Sequence, residues 1–246
     1  MAEQKHLANA PIKEAVIEIR TIASDGFEIE LFDSDQSDFE LDGYSKKDVL
    51  KSQEFEIKLE DNDVKKQSVS AQLLGYRYCS DDQKHIVSFQ KTAFTFSRLK
   101  PYENWDAFCG EAEKLWKIYI AKANPIKATR IATRFINIID IPLPIRDFSD
   151  YLVSPPEIPD GLPQSISSYM SRIVFPNEDA KYFAIVTQSL ERATEEFAPI
   201  LLDIDVFLQE QVDIDGAIWE HLENLRVFKD RIFFKSLHEQ TVELFT

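Results

Sequence analysis

The sequence predicts an α+β fold in which antiparallel β-sheet carries amphipathic helices on one face. Three observations lead to this prediction. Short runs alternate apolar and polar residues, as half-buried strands do. Connections such as "DDQK" and "KT" separate some of these runs and are short enough for hairpins. Longer stretches repeat apolar residues every three or four positions, which is typical of helices packed on a core.

The first predicted strands flank an acidic insert. The runs "EAVIEIR" (14–20), "FEIELFD" (27–33) and "FEIKLED" (55–61) have the alternation of half-buried strands. Residues 33–48, "DSDQSDFELDGYSKKD", are polar, acidic and aperiodic. We expect them to form a long loop and to be the most mobile part of the chain.

A meander and a helix complete the first half. The runs "SVSAQLLGYRYCS", "HIVSFQ" and "AFTFSR" are rich in β-forming residues and predict antiparallel strands. After Pro101 the apolar residues follow a helical period, which predicts a helix from Trp105 to about Lys122. Pro125 ends this pattern, because the residue before a proline is pushed out of the α region.

The second half repeats the order of strands followed by a helix. Residues 126–141 predict a long strand, and six prolines between residues 142 and 164 predict a linker. The predicted organisation is therefore an N-terminal block (1–141), a proline-rich linker (142–164) and a C-terminal block (165–246). The shared order suggests an internal duplication, and the sequence leaves open whether the blocks share one sheet.

The charge of the chain is strongly negative and unevenly distributed. The net charge is −15, and residues 24–63 contain fourteen Asp or Glu and four Lys. This acidity disfavours nucleic acid as the main partner, because nucleic-acid affinity comes largely from Lys and Arg. No apolar run approaches the roughly 20 residues that a membrane helix needs. With no secretory signal and two cysteines, we expect a cytoplasmic protein without a membrane partner.

Arginines are the candidates for binding a small ligand. Arg130 and Arg134 are four residues apart and so share a strand face. With other arginines they predict a basic pocket for an anion such as a nucleotide. The residues proposed for this pocket are Arg77, Arg98, Tyr102, Arg130 and Arg134. Two competing interpretations are structural: Arg98 anchors the chain between strand and helix, and neighbours such as Glu14 and Glu18 neutralise Arg130 and Arg134 across the sheet.

The acidic insert is the candidate surface for a protein partner. Its carboxylates Asp33, Asp35, Asp38 and Asp42 can steer and hold a cationic surface. The alternative is that they form a solvated, solubilising face.

Motifs of catalysis, metal binding and cofactor binding are missing from the sequence. The four histidines have neither HExxH nor HxH spacing, and there is no GxGxxG, GxxxxGK[ST] or GxSxG. Six glycines in 246 residues leave little material for a phosphate-binding loop. The sequence thus predicts no metal site and no cofactor, and it names no catalytic residue.

Several stretches together resemble a known family. These are "NAPIKEAVIEIR" near the start, "GYRY" (75–78), "FTFSRLKPYENW" (94–105), "RFIN" (134–137) and "LHE" near the end. They are similar to a sporadically distributed family of uncharacterised bacterial proteins of about the same length. No activity is assigned to that family, so the resemblance implies no role for any residue. Its sporadic occurrence implies an association with mobile or conflict systems.

Two functions from different classes follow from these observations. The first is a non-enzymatic, cytoplasmic binding protein, such as an antitoxin, an immunity protein or a phage-defence accessory, that contacts a basic protein partner. The second is an enzyme or sensor that binds a small anion through the arginine cluster. The sequence leaves the partner's identity and the oligomeric state open.

Overall fold

The structure, a computed structural model, describes residues 7–35, 39–60 and 63–246. Its centre is one ten-stranded sheet in which every pairing is antiparallel. The strands are β1 (Ile12–Ile22), β2 (Lys46–Glu60), β3 (Asp63–Cys79), β4 (His85–Gln90), β5 (Ala93–Leu99), β6 (Lys127–Pro142), β7 (Met170–Pro176), β8 (Phe183–Leu190), β9 (Phe197–Leu208) and β10 (Val212–Asp213).

The two halves of the chain share this sheet. The strand order is β2-β3-β4-β5-β1-β6-β9-β8-β7, with the short β10 pairing on β6. Because β6 pairs with β1 on one side and with β9 on the other, it joins the predicted N-terminal block to the C-terminal one. The antiparallel α+β class predicted from the sequence is confirmed. Internal duplication of the blocks stays a prediction.

Within the described residues, three helices accompany the sheet: α1 (Trp105–Ala123), α2 (Ile218–Ser236) and α3 (Glu239–Glu243). Helix α1 begins where the Asn104 side chain accepts a hydrogen bond from the Ala107 backbone N–H at 2.8 Å, as an N-cap residue does. It ends at Asn124, which adopts the left-handed conformation. The predicted helix in this region is confirmed.

Both long helices contact the same central side chain. The ring of Phe135 on β6 lies 6.5 Å from that of Phe108 on α1, and the Lys229 ammonium of α2 lies 3.8 Å from the Phe135 centroid. Residues that alternate with the polar positions of β1, β6 and β9 are buried, Ile17, Ile139 and Ile204 among them. Burial of this apolar surface is the main term that holds the helices to the sheet.

The strand predicted at "FEIELFD" is wrong. Ile29–Phe32 instead form a short 3-10 turn. Phe27, Ile29 and Phe32 are all buried. A strand would have put Phe32 on the face opposite to the other two, because strand side chains alternate. The turn directs all three towards the core.

The proline-rich stretch between β6 and β7 also contacts the body of the protein. It contains a 3-10 turn at Phe148–Asp150, and Leu152 forms an isolated bridge with Leu237 at the end of α2. Among the described residues, no helix is long and apolar enough to span a membrane.

Candidate functional site

The acidic segment, which we define as residues 24–48, is anchored by aromatic side chains. The ring of Phe32 stacks 4.7 Å from Phe89 of β4 and 5.7 Å from Tyr119 of α1. Phe39 packs edge-on against Phe32 at 5.5 Å and is fully buried. We expected the insert at 33–48 to be a mobile loop. In its described part, buried aromatic residues hold it against the core.

Polar contacts add to this anchoring. The Tyr78 hydroxyl of β3 donates to the Phe32 carbonyl oxygen at 2.6 Å and accepts from the Ser34 N–H at 3.1 Å. The Tyr44 hydroxyl donates to Glu111 Oε1 of α1 at 3.3 Å. The acidic segment is therefore tied to β3 near its middle and to α1 near its C-terminal end.

One of the predicted partner-binding carboxylates is a structural residue. Asp33 is buried, with 4% of its surface exposed. Its Oδ1 accepts a 2.6 Å hydrogen bond from Lys47 Nζ and a 3.0 Å bond from the Asp35 backbone N–H. Burial alone would raise the pKa of Asp33, but these hydrogen bonds and the Lys47 charge outweigh it and hold the pKa below its usual value. Asp33 thus lies beneath the surface that a partner would contact.

The other carboxylates of the acidic segment face solvent. The Asp35 side chain also contacts Lys47 but is 76% exposed, and Asp42 is exposed. Asp38 lies outside the described residues. The exposed acidic positions in the described part are Asp25, Glu28, Glu30, Asp35, Glu40, Asp42 and Asp48. They form an acidic surface on a segment whose aromatic residues are buried.

A two-stranded ribbon extends from the end of this surface. Strand β3 pairs with β4 only over Gly75–Cys79, whereas it pairs with β2 along its whole length. Beyond Gly75, residues 51–60 and 63–73 pair with each other, and within the described residues no other strand joins them. At about 3.3 Å per residue the ribbon is roughly 30 Å long.

A β-bulge marks the start of the ribbon. The register shifts by one residue between Leu50 and Lys51, where β2 passes Leu74 of β3. Gly75 has φ +158°, and a Cβ there would lie 2.1 Å from the Phe89 carbonyl oxygen. Only glycine fits this close approach of two backbones. Gly75 stands alone within the predicted strand "SVSAQLLGYRYCS", and an isolated glycine in a strand is a signal for a bulge that could have revealed this close approach.

Arg98 lies at the junction between β5 and α1. It is 5% exposed. Its Nε donates to the Pro101 carbonyl oxygen at 3.1 Å, its Nη2 to Glu103 Oε1 at 2.8 Å, and its Nη1 lies 2.8 Å from His85 Nε2. Burial, with the Arg98 charge, lowers the pKa of His85, so the neutral ring can accept from the guanidinium. A small cavity of about 180 Å³ opens beside these groups, and Tyr102 lines it.

Replacing Arg98 should test its role at this junction. We expect Arg98→Ala to lower the free energy of unfolding by about 2 kcal/mol, because it removes a buried guanidinium and its hydrogen bonds to Pro101, Glu103 and His85. Arg98→Lys should restore little of this, since one ammonium cannot reproduce the planar array of donors. Urea unfolding of the three proteins measures both effects. A lysine variant as stable as the original protein would show that the guanidinium contacts are dispensable.

Arg130 and Arg134 lie on the opposite face of the sheet. Arg98 pairs with the buried Ala15, whereas Arg134 pairs with the neighbouring Val16, and successive residues of a strand face opposite ways. Arg130 Nη2 donates to Asp205 Oδ2 at 2.8 Å, and Arg134 Nε donates to Asp203 Oδ1 at 2.8 Å.

Arg130 makes two further contacts. Its Nη1 donates to Glu18 Oε1 at 3.1 Å, and its guanidinium lies 4.6 Å over the Phe207 ring. Burial raises the pKa of Asp205 even though Arg130 acts in the opposite direction. Carboxylates of β1 and β9 therefore pair with these arginines across the sheet, as ordinary cross-strand pairs do.

Arg77 is remote from all of these residues. It is exposed on β3, opposite Asp48 and Ser88, and β3 is separated from β6 by β4, β5 and β1. At about 4.8 Å per strand, the distance across the sheet is roughly 19 Å. The structure does not bring the four arginines into one pocket: Arg98 and Tyr102 share one cavity, Arg130 and Arg134 share the other face, and Arg77 lies apart.

Among the described residues, no three His, Cys, Asp or Glu side chains are placed to hold a metal ion together.

Comparison with known proteins found no protein related to this chain. No protein-family model matches the chain, and no curated protein matches it.

Proposed function

We propose that the protein is a non-enzymatic binding protein that holds a basic protein partner against its acidic segment. The observation that carries the proposal is the anchoring of the acidic segment: its described carboxylates other than Asp33 are exposed, and Phe27, Phe32, Phe39 and Tyr44 lie in the core. A surface held in place before binding loses little conformational entropy when a partner arrives.

Electrostatics supports a cationic partner. The only lysines between residues 24 and 48 are Lys46 and Lys47. Lys47 is engaged by Asp33 and Asp35. The remaining carboxylates create a negative potential that accelerates the approach of a positively charged surface.

The ribbon formed by β2 and β3 gives the partner a second place to contact. It continues directly from the acidic segment, because β2 begins at Lys46. A two-stranded ribbon has little stability of its own in water, so contact with a partner would stabilise it. We propose that the partner bridges the acidic segment and the base of the ribbon.

The biological class that fits is a cytoplasmic partner-neutralising protein. Antitoxins, immunity proteins and accessory proteins of phage defence act by binding another protein and need no catalytic group. Cys79 and Cys109 are both free thiols, as is usual in a reducing compartment. The class is proposed from the resemblance of the sequence to a sporadically distributed bacterial family and from the acidic surface.

Neutralising exposed carboxylates of the acidic segment should abolish capture of the partner. The test variant carries Glu28→Gln, Glu30→Gln, Glu40→Gln and Asp42→Asn, all at exposed positions. We expect it to retain less than about one tenth of the partner that the original protein captures from the source cell at low salt, because complementary charges across the interface are lost. Mass spectrometry with isotope labelling measures the ratio.

A matched control separates this surface from overall charge. The variant with Glu157→Gln, Asp160→Asn, Glu195→Gln and Glu196→Gln changes the net charge equally at exposed positions elsewhere. It should capture the partner as the original protein does. Equal loss in both variants, or no captured protein at all, would contradict the proposal.

A further inference from the structure

A second surface lies at the opposite edge of the sheet. Strand β7 ends the strand order, and β8 is its only pairing partner among the described strands. Six of the seven residues of β7 are exposed. Met170, Ile173 and Val174 are 74%, 54% and 58% exposed. An apolar edge strand with free backbone N–H and C=O groups is a template for pairing with another strand.

A cavity runs beside this edge. Its volume is about 420 Å³, and it lies between the end of β7 and helix α2. We call it the edge groove and define it by Phe175, Phe228, Arg231, Ile232 and Lys235. Phe175 packs edge-on against Phe228 at 6.1 Å, which forms an apolar floor.

The rim of the edge groove carries two cations and one carboxylate, that of Glu178. Arg231 and Lys235 of α2 are both exposed and lie four residues apart, so they occupy the same side of the helix. Arg231 also contacts Glu178, but both side chains are more than half exposed, and exposed pairs of this kind contribute little. A basic rim on a chain with net charge −15 contrasts with the rest of the surface.

We propose that β7 and the edge groove bind an extended, acidic segment of a partner protein by strand addition. Backbone groups of the segment would extend the sheet at β7. An apolar side chain would enter the groove over Phe175 and Phe228, and acidic side chains would contact Arg231 and Lys235. Main-chain pairing supplies affinity in such complexes, and alternate side chains supply specificity.

Charge favours this occupant over a second copy of the chain. A second copy would present its own β7, "MSRIVFP", whose one charged residue is Arg172, so it would bring a cation and no carboxylate towards Arg231 and Lys235. Like charges placed across an interface disfavour the complex. The side chains of an acidic segment would instead pair with the cations Arg231 and Lys235 on the rim. This interaction is independent of the acidic segment at residues 24–48, and either surface can function without the other.

Short synthetic peptides provide the test. One peptide alternates Glu and Val, and the second alternates Lys and Val, both with blocked termini. We expect the Glu peptide to bind at least about tenfold more tightly than the Lys peptide, because only its charges complement the rim. Fluorescence anisotropy measures the dissociation constants. Hydrogen–deuterium exchange should show protection of the β7 amides by the Glu peptide.

Charge reversal on the rim provides the control. Arg231→Glu with Lys235→Glu should remove the preference for the Glu peptide, whereas Arg146→Glu with Arg192→Glu, at exposed positions elsewhere, should leave it unchanged. Equal binding of both peptides, no binding of either, or protection outside β7 would overturn the proposal. Concentration-dependent dimerisation that protects β7 would also overturn it, because the occupant would then be a second copy.

Discussion

Phe32→Ala should lower the free energy of unfolding by about 3–5 kcal/mol, the range for removing a buried phenylalanine ring. Phe32 has no exposed surface. Its ring contacts Phe27, Phe39, Phe89 and Tyr119. The substitution therefore opens a cavity at the centre of the aromatic cluster and removes the main anchor of the acidic segment. Chemical denaturation followed by tryptophan fluorescence measures the loss.

The neighbouring residue supplies a control for Phe32. Leu31 is 42% exposed, and Leu31→Ala should change the free energy of unfolding by less than about 1 kcal/mol. Phe32→Ala should also increase hydrogen exchange in residues 24–48 under native conditions, because the segment loses its attachment. A small loss of stability with unchanged exchange would show that other contacts hold the acidic segment.

Gly75→Ala should destabilise the protein by about 3 kcal/mol, the upper range for forcing extra atoms into a packed site. The added Cβ would meet the Phe89 carbonyl oxygen at 2.1 Å and Gln90 Cα at 2.9 Å. Backbone atoms of β4 cannot move aside without breaking the pairing of β3 with β4. Thermal and urea unfolding measure the effect.

Gly110 is the matched control for this substitution. It lies within α1, and a Cβ there would have no neighbour within 4 Å. Gly110→Ala should therefore stabilise the protein by about 0.5–1 kcal/mol, because alanine loses less conformational freedom in a helix. If Gly75→Ala were as well tolerated as Gly110→Ala, this would contradict the close approach of the β3 and β4 backbones at the bulge.

Local features of the fold could be read from the sequence, because they depend on residues close together in the chain. Alternation in "EAVIEIR" predicted the strand that contains Ile17 and Ile19, and the helical period predicted α1. Alternation misled at "FEIELFD", because three apolar residues with mixed spacing can all reach the core from a turn. For a short run, the spacing of the apolar residues alone does not distinguish a strand from a turn.

Contacts between residues that are far apart in the chain could not be predicted from the sequence. The shared face of Arg130 and Arg134 was predictable from their spacing, whereas their separation from Arg77 depends on the strand order. Pairing of β6 with both β1 and β9 joins residues far apart in the chain, and no local pattern encodes it. For the same reason the strands predicted in the second half could not be ordered within the sheet, so the place of β7 at its edge was not predictable.

The most direct test of the central claim is the association rate of the captured partner as a function of salt. The original protein, the variant with four neutralised carboxylates at residues 28, 30, 40 and 42, and the matched control would be compared by surface plasmon resonance. We expect fast association that slows steeply with salt for the original protein and the control, and slow, nearly salt-independent association for the test variant. Identical rates and salt dependence for all three proteins would contradict it.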